Sequence, residues 1–225
     1  MGTVFEAMQN KEFGRVNKDK HYLDIYTREL LPYRERTSTI LEIGVSLGGS
    51  LAMWRKYFAA ATIVGIDING ACAQFAKPEQ KIFVEIGDQS NPAFLDQVCD
   101  KHNNIDIIID DGSHINSHVI ASFEHLFPKL NDGGIYIIED MCTSYWNNFG
   151  GGFRMAGTTI EFFRGLVDHL NFPHIRIQQG QCKFTPPAVD FYEQNISQIS
   201  FYNGMCFVYK RGVGFSPKSA DLYFQ

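Results

Sequence analysis

Short runs of apolar, mostly β-branched residues alternate with amphipathic stretches through the middle of the chain. The apolar runs are TILEIGV, TIVGIDI, KIFVEIG, IDIIID and GGIYIIED. The stretches that follow them are predicted helices over residues 51–60, 71–77, 92–101 and 115–130. Segments 107–109 and 135–138 are apolar at every position, as expected for central strands buried on both faces. This order predicts an α/β fold in which helices cover both faces of a parallel sheet.

The pattern changes after residue 146, where a glycine-rich segment, NNFGGGFRMAG, precedes a predicted helix over residues 159–170. HIRIQQG and QISFYNGMCFVYK are predicted to form the last two strands, separated by a long polar loop. Residues 1–37 are predicted to form a short helical preface. Because no repeat or low-complexity tract marks a boundary, one domain is expected over residues 1–218. The final LYFQ resembles the remnant of a cleavable expression tag, so residues 219–225 are excluded from the functional argument.

Composition narrows the class of protein. The chain has 225 residues, of which 44% are apolar, and this is ample for a sizeable core. The formal net charge is −5 and the basic residues are scattered, which disfavours nucleic acid and a membrane surface as partners. No apolar run approaches the roughly 20 residues of a spanning helix. The five cysteines form no C-x-x-C pair, so reduced thiols and a cytoplasmic location are expected.

A glycine-rich turn follows the first predicted strand, in the segment LEIGVSLGGS. Glycines between a strand and a helix let the backbone approach a ligand, and the helix N–H groups then point towards it. The spacing is wider than G-x-G-x-x-G and an acidic residue lies within the strand end, which suits a nucleoside with a cationic or amino-acid tail better than a pyrophosphate. The candidate ligand-binding residues here are Glu42, Gly44, Ser46, Gly48 and Gly49.

Acidic or amide residues also end the next two predicted strands. Asp67 is placed to accept hydrogen bonds from both hydroxyls of a ribose, and Asp88 with Gln89 could meet an adenine edge. The alternative is that each acidic residue only caps a helix. Ligands of open α/β sheets lie at the carboxyl ends of the strands, and three such residues at successive strand ends therefore favour ligand binding.

Two acidic pairs follow the fourth and fifth strands. Asp110 and Asp111 end one run, and Glu139 and Asp140 end the next. Neighbouring strands lie about 4.8 Å apart, so these carboxylates should converge at one edge of the sheet. Their repulsion would be relieved by a cation, and oxygen ligands select a hard ion such as Mg²⁺, with Mn²⁺ or Ca²⁺ as substitutes.

His114 comes three residues after Asp111, at the start of the predicted helix that follows. A neutral imidazole there is a suitable general base for a substrate hydroxyl beside the metal. The alternative is a structural histidine that the backbone satisfies. His118 and His125 lie further along the same helix and are expected to face solvent or to pack.

Tyr145 and Trp146 directly follow the second acidic pair and precede the glycine-rich segment. They are candidates to stack on a substrate ring while the loop closes as a lid. The alternative is that both aromatic side chains pack against the edge of the sheet.

The segments LEIGVSLGGSLAMW, GIDI, GDQSNPAFL, DIIIDDGSH and GGIYIIEDMCTSYW appear in this order. Together they resemble class I S-adenosylmethionine-dependent methyltransferases, and more narrowly the metal-dependent macrolide sugar O-methyltransferases of the mycinamicin type. The resemblance covers roughly residues 17–209. It implies a Rossmann-like, seven-stranded, mostly parallel sheet with an antiparallel last strand.

The resemblance also implies roles for the candidate residues. Glu42 and the glycine turn would hold the methionine part of the cofactor. The implied metal ligands are Asp111, Glu139 and Asp140, which leaves Asp110 structural or facing the cofactor. The implied reaction is methylation of a hydroxyl that the metal acidifies and His114 deprotonates.

The resembling enzymes carry an additional N-terminal domain that shapes substrate access, and this chain has only a short preface before its first strand. The first choice of acceptor is a sugar hydroxyl beside a second oxygen in a small molecule, because two adjacent oxygens could chelate the ion. A catechol or another vicinal diol would suit the same chemistry, and a homo-oligomer is compatible with the sequence. One alternative is a cofactor-binding protein without turnover. A nicotinamide-dependent oxidoreductase is disfavoured because G-x-G-x-x-G is missing.

Overall fold

A computed structural model describes residues 3–8, 16, 18–177, 180 and 183–212. Its seven strands form one sheet in the order β3-β2-β1-β4-β5-β7-β6. Strands β1 to β5 are parallel, and β7 runs antiparallel to both β5 and β6. The predicted fold class is therefore confirmed. The strands are β1 Thr39–Ile43, β2 Thr62–Asp67, β3 Ile82–Ile86, β4 Ile105–Asp110, β5 Ile135–Ile138, β6 Ile196–Tyr202 and β7 Met205–Lys210.

Helices lie on both faces of the sheet. The one predicted over residues 92–101 has the predicted limits, because the Asn91 side chain accepts hydrogen bonds from the N–H groups of Ala93 and Phe94 and Pro92 suits the first helical position. Residues 71–77 form only a 3₁₀ helix, Gly70–Phe75. The α-helices are α1 Val4–Met8, α2 Lys20–Leu30, α3 Gly49–Tyr57, α4 Pro92–Lys101, α5 Asn116–Leu126, α6 Thr159–Ile177 and α7 Phe191–Asn195.

The sheet separates two apolar layers, because successive side chains of a strand point to opposite faces. Ile107 and Ile109 pack into the layer that includes Tyr26 of α2 and Trp54 of α3. Ile108, between them in sequence, packs into the layer beneath α4, α5 and α6. This burial on both faces explains why the central runs are apolar at every position.

The prediction for the last two strands was partly wrong. HIRIQQG begins inside α6, which continues to Ile177, and both final strands come from QISFYNGMCFVYK. They form a hairpin whose turn contains Gly204 at φ 78°. The end of α6 is held because the Arg176 guanidinium binds both carboxylate oxygens of Glu193, at 2.8 and 2.7 Å. This bidentate ion pair outweighs the alternating pattern that indicated a strand.

Among the helices that the structure describes, none combines the length and the hydropathy needed to cross a membrane. The predicted tag remnant at residues 219–225 lies outside the described residues.

Candidate active site

Two cavities adjoin at the carboxyl ends of the parallel strands. The larger, of about 350 Å³, lies over the ends of β1, β2 and β3, and the smaller, of about 240 Å³, lies towards β4 and β5. Gly44, Ser46, Asp111 and Gly112 line both cavities. A molecule that fills the larger cavity can therefore place its end in the smaller one.

Gly44 allows the two cavities to meet. Its φ is 95°, and a Cβ at this position would lie 2.0 Å from the carbonyl oxygen of Asp111. Any side chain would therefore push the turn after β1 away from the end of β4. The close approach at Gly44 is thus to the backbone of Asp111, and the approach of this turn to a ligand stays a prediction.

Asp67 lies on the wall of the larger cavity, at the end of β2. One carboxylate oxygen accepts hydrogen bonds from the N–H groups of Val45 and Ser46, at 2.9 and 3.0 Å, and the other accepts one from Asn69 at 2.8 Å. Burial alone would raise the pKa of Asp67, but these three backbone donors hold it below its usual value. Asp67 therefore supports the glycine turn and remains charged beside the cavity.

Asp88 and Gln89 also line the larger cavity, at the end of β3. Asp88 accepts hydrogen bonds from the N–H and hydroxyl groups of Ser90, both at 2.8 Å, within the loop before α4, whose N-cap is Asn91 and not Asp88. The Gln89 side chain is engaged with the protein, since its amide nitrogen donates to Ser122 at 3.0 Å and its oxygen accepts from the Ser113 N–H at 2.7 Å. Both residues thus lie at the cavity, but most of their side-chain polar atoms already form hydrogen bonds within the protein.

Glu42 and Asp110 lie behind the cavities. Glu42 is fully buried and accepts hydrogen bonds from Ser50 at 2.6 Å and Trp54 at 3.0 Å. Asp110 is buried and accepts one from Gln89 at 3.1 Å, while burial raises the pKa of Asp110 to about 7. Neither side chain lines a cavity in this arrangement, because donors of the chain enclose both carboxylates. For Asp110, this buried position fits a structural role, one of the two roles that the resemblance left open.

Asp111, His114 and Asp140 come together at the smaller cavity. Each offers an atom within 4.8 Å of the others, and His114 Nε2 lies 3.8 Å from Asp111 Oδ1 and 3.7 Å from Asp140 Oδ2. Two carboxylates and an imidazole are suitable ligands for a divalent ion such as Mn²⁺, and the carboxylates alone suit Mg²⁺. The geometry fits a cation at this position.

Glu139 supplies no atom to that group, although the sequence predicts it as a third ligand. Its Oε1 accepts hydrogen bonds from Lys18 Nζ and from the Tyr26 hydroxyl, both at 2.5 Å. Burial alone would lower the pKa of the Lys18 amine, but the carboxylates of Asp111, Glu139 and Glu42 raise it well above its usual value. Lys18 is therefore an ammonium ion inside the acidic group.

The sequence analysis missed these contacts from the N-terminal region. Lys18, Tyr22 and Tyr26 are spaced by four residues, which places them on one face of α2 and the turn before it. Tyr22 donates a hydrogen bond to Asp140 Oδ1 at 2.9 Å. The four-residue spacing of these polar side chains was the sequence signal that could have indicated their shared position. The predicted preface thus forms one wall of the candidate site.

Three non-glycine residues at the cavities have left-handed backbone conformations: Ser46, His114 and Asp140, with φ of 49°, 56° and 52°. Each such conformation costs on the order of 1–3 kcal/mol and persists where surrounding contacts impose it. His114 lies in the loop before α5 and not at its first turn, since that helix begins at Asn116. This loop conformation aims the imidazole at the carboxylates.

The other two histidines of this region differ. His118 lines the larger cavity, and its Nδ1 lies 3.2 Å from the Ser113 hydroxyl. The sequence analysis, which expected His118 to pack or to face solvent, did not anticipate this cavity. His125 pairs with Asp96 at 3.0 Å, away from both cavities. Only His118 reaches a cavity, because it lies nearer than His125 to the start of α5 and so to the end of β4.

Tyr145 and Trp146 do not pack against the sheet edge. Their exposed fractions are 45% and 52%, and Phe153 beside Tyr145 is 80% exposed. The Trp146 ring lies 5.8 Å from the Phe149 ring, which in turn lies 6.3 Å from the His114 ring. An exposed group of aromatic rings therefore extends outwards from the candidate base.

Three comparisons relate this chain to known proteins. A family model described as a methyltransferase domain matches residues 41–141. The 8-demethyl-8-alpha-L-rhamnosyl tetracenomycin-C 2'-O-methyltransferase of Streptomyces olivaceus is 36% identical over 84% of this chain and 50% of that protein. The mycinamicin VI 2''-O-methyltransferase of Micromonospora griseorubida is 36% identical over 82% of this chain and 47% of that protein. The chain thus spans about half the length of these relatives.

A solved structure is also similar: the MycE methyltransferase from the mycinamycin biosynthetic pathway, in complex with Mg, SAH and mycinamycin VI. The TM-score is 0.75 at 33% sequence identity, and the match covers 93% of this chain and 53% of that one. The resemblance predicted from the sequence motifs is therefore confirmed.

Proposed function

We propose that this chain, which matches a methyltransferase-domain family model and is similar to the sugar O-methyltransferases of antibiotic pathways, methylates a hydroxyl of a sugar or vicinal diol in a small molecule, using S-adenosylmethionine. The observation that carries this proposal is the pair of cavities that meet at Gly44. One is lined as a nucleoside site would be, and the other holds an imidazole next to two carboxylates. A catechol is the alternative acceptor.

The larger cavity suits the nucleoside part of the methyl donor. Ile68 is 73% exposed at its edge, and Ile115 lines it too, so apolar groups are available to a flat base. Asp67 accepts three backbone hydrogen bonds and remains charged on the cavity wall, where its carboxylate can also meet a ribose hydroxyl. The glycine turn opens the way from there to the smaller cavity for the methionine part.

Asp111 and Asp140 would hold a divalent cation, Mg²⁺ or Mn²⁺, with His114 beside it. Glu139 would join them as a third ligand only through an oxygen other than Oε1, which Lys18 and Tyr26 use. When bound, S-adenosylmethionine supplies an electrophilic methyl group for the attacking hydroxyl oxygen, and the cation makes that hydroxyl more acidic.

His114 accepts the hydroxyl proton on Nε2. The left-handed backbone holds its ring between Asp111 and Asp140, and these carboxylates stabilise the imidazolium ion that forms. Such positioning is the usual contribution of a general base. Tyr145 and Trp146 would contact the acceptor, since their exposed rings offer an apolar face to a sugar or an attached ring system.

The acceptor is proposed to be a small molecule and not a nucleic acid, because the formal net charge is −5 and the described site is acidic. The test is incubation of the chain with methyl-labelled S-adenosylmethionine, Mg²⁺ and a panel of rhamnosides, macrolide glycosides and catechols, followed by mass spectrometry of the products. A labelled methyl ether on a glycoside supports the proposal.

Two outcomes would contradict it. Tight binding of S-adenosylmethionine without any methylated product across the panel would favour the non-catalytic cofactor-binding protein. Binding of a nicotinamide cofactor without binding of S-adenosylmethionine would favour the oxidoreductase.

A further inference from the structure

The Lys18 ammonium lies among three carboxylates that come from three different strand ends. Its Nζ is 2.5 Å from Glu139, 2.8 Å from Asp111 and 3.3 Å from Glu42, and its side chain is only 1% exposed. The Trp54 ring closes another side, with its centroid 6.0 Å from Nζ. This is the coordination of a cation site, filled by a side chain of the protein.

Asp111 connects this position to the proposed metal site. Its Oδ2 binds Lys18, whereas its Oδ1 faces His114 at 3.8 Å. The acidic group therefore contains two neighbouring cation positions that share one carboxylate. The inner position is formed by Glu42, Asp111 and Glu139, and the outer position by Asp111 and Asp140, with His114 beside it.

The charges explain why the inner position needs a permanent cation. Four carboxylates, from Glu42, Asp111, Glu139 and Asp140, carry a formal charge of −4 when ionised. Glu42 and Glu139 are buried, and removal of such charges from water is costly unless they are paired. Lys18 and one divalent ion would together reduce this to a formal charge of −1.

We propose that Lys18 is a positioning residue of the active site, whose ammonium occupies the inner cation position so that the site binds a single divalent ion in the outer position. The inference rests on the proposed function and adds to it the residue that fills the inner position. Lys18 acts through Asp111, which it holds with one oxygen directed to the outer position. It does not itself contact the reacting atoms.

The rest of α2 supports this arrangement. Tyr26 donates to the same Glu139 oxygen that Lys18 binds, at 2.5 Å, and Tyr22 donates to Asp140 at 2.9 Å. The inner and outer positions are therefore both fastened to one helix. A change in the Lys18 charge should consequently alter ion binding without displacing the helix.

The test is titration of the 225-residue chain with Mn²⁺ at low ionic strength, with free Mn²⁺ measured by electron paramagnetic resonance. We expect the wild type to bind one ion per chain. Lys18→Ala removes the charge and leaves space between three carboxylates, so this variant should bind two. Lys18→Met keeps most of the side-chain volume, and we expect it to bind one ion roughly threefold or more tightly, because a nearby positive charge is lost.

Lys210→Met is the matched control. Lys210 is also a buried lysine, but its Nζ donates to the carbonyl oxygens of Pro128 and Leu130, at 2.9 and 2.6 Å. Its variant should bind Mn²⁺ as the wild type does. One ion in Lys18→Ala, or unchanged or weaker affinity in Lys18→Met, would overturn the inference while leaving the proposed function intact. Two ions in the wild type would overturn it directly. No Mn²⁺ binding in the wild type would contradict both the inference and the metal-assisted function.

Discussion

The hydroxyl of Tyr22 donates a hydrogen bond to Asp140 Oδ1 at 2.9 Å, across 118 residues of sequence. Asp140 has a left-handed backbone conformation and its side chain is 39% exposed, so this bond limits how its carboxylate can turn. Burial and the Asp140 charge raise the pKa of Tyr22, which keeps its hydroxyl protonated as a donor. A helix outside the matched methyltransferase segment therefore helps to set the geometry of the proposed metal site.

Tyr22→Phe should weaken metal-dependent activity. Hydrogen-bond partners of metal ligands typically contribute about 10- to 100-fold to metal affinity or activity, and we expect a loss in this range. The measurement is Mn²⁺ affinity together with the rate of methyl transfer. Tyr202→Phe is the control, because the Tyr202 hydroxyl donates to Glu29 at 2.8 Å, away from the site. Equal effects of the two variants would contradict a specific role for Tyr22.

The strand-end residues were predictable because their pattern is local. An apolar run buried on both faces must end where polar residues begin, and this placed Asp67 and Asp111 at the same edge of the sheet. The contacts of Lys18 are not local, since 93 and 121 residues separate it from Asp111 and Glu139. No spacing rule connects such pairs, and the sequence analysis therefore named no lysine or arginine as a partner of the acidic pairs.

The C-terminal hairpin shows a second reason why the sequence analysis assigned some elements wrongly. QISFYNGMCFVYK was interpreted as one strand, although Asn203-Gly204 is the dipeptide that most often makes a two-residue turn. The earlier segment HIRI, residues 174–177, alternates as a strand does. In the structure this segment completes α6, where Arg176 is paired with Glu193 of α7. Here a tertiary ion pair and a missed turn signal together changed the assignment of two elements.

His114→Ala should reduce turnover by about 10² to 10⁴, the range for a positioned general base, while the affinity for S-adenosylmethionine is retained. The measurement is single-turnover methyl transfer combined with calorimetry of cofactor binding. His125→Ala serves as the control, because His125 pairs with Asp96 at the surface. Near-normal turnover in His114→Ala would leave His114 with a structural role.

The backbone at position 114 permits a separate test. Because its φ is 56°, glycine is preferred there over alanine by about 1 to 2 kcal/mol. Both His114→Gly and His114→Ala lack the imidazole, so they should be equally inactive. Urea unfolding should nevertheless show His114→Gly to be the more stable of the two. A more stable alanine variant would contradict the left-handed conformation.

Asp67→Ala should weaken binding of S-adenosylmethionine by about 1 to 3 kcal/mol, since it removes a charged acceptor from the larger cavity and the two hydrogen bonds that anchor the glycine turn, from Val45 and Ser46. Calorimetry measures this affinity. Asp106→Ala is a matched control, because the Asp106 carboxylate also accepts a backbone hydrogen bond, from Ser38, at the opposite end of the sheet. Unchanged affinity in Asp67→Ala would place the cofactor elsewhere.

Gly44→Ala should destabilise the fold more than Gly150→Ala. Both glycines have positive φ, 95° and 73°, but a Cβ at Gly44 would lie 2.0 Å from the Asp111 carbonyl oxygen, whereas no atom lies within 4 Å of one at Gly150. The difference should be about 1 to 3 kcal/mol, the usual cost of overpacking. It is measured as the free energy of unfolding in urea. Equal losses would mean that the turn after β1 yields without strain.

The divalent ion should be required for methyl transfer and not for cofactor binding. Activity should be lost in EDTA and restored by Mg²⁺, because Asp111 and Asp140 repel each other without a cation and the hydroxyl is then less acidic. Asp111→Asn and Asp140→Asn preserve shape and remove charge, so they should lose activity and retain S-adenosylmethionine binding. Glu139→Gln should also lose activity, in its case through Lys18, whose ammonium it would no longer neutralise. Full methyl transfer by metal-free chain in EDTA would refute the metal-assisted mechanism and leave a metal-free reaction that depends on His114.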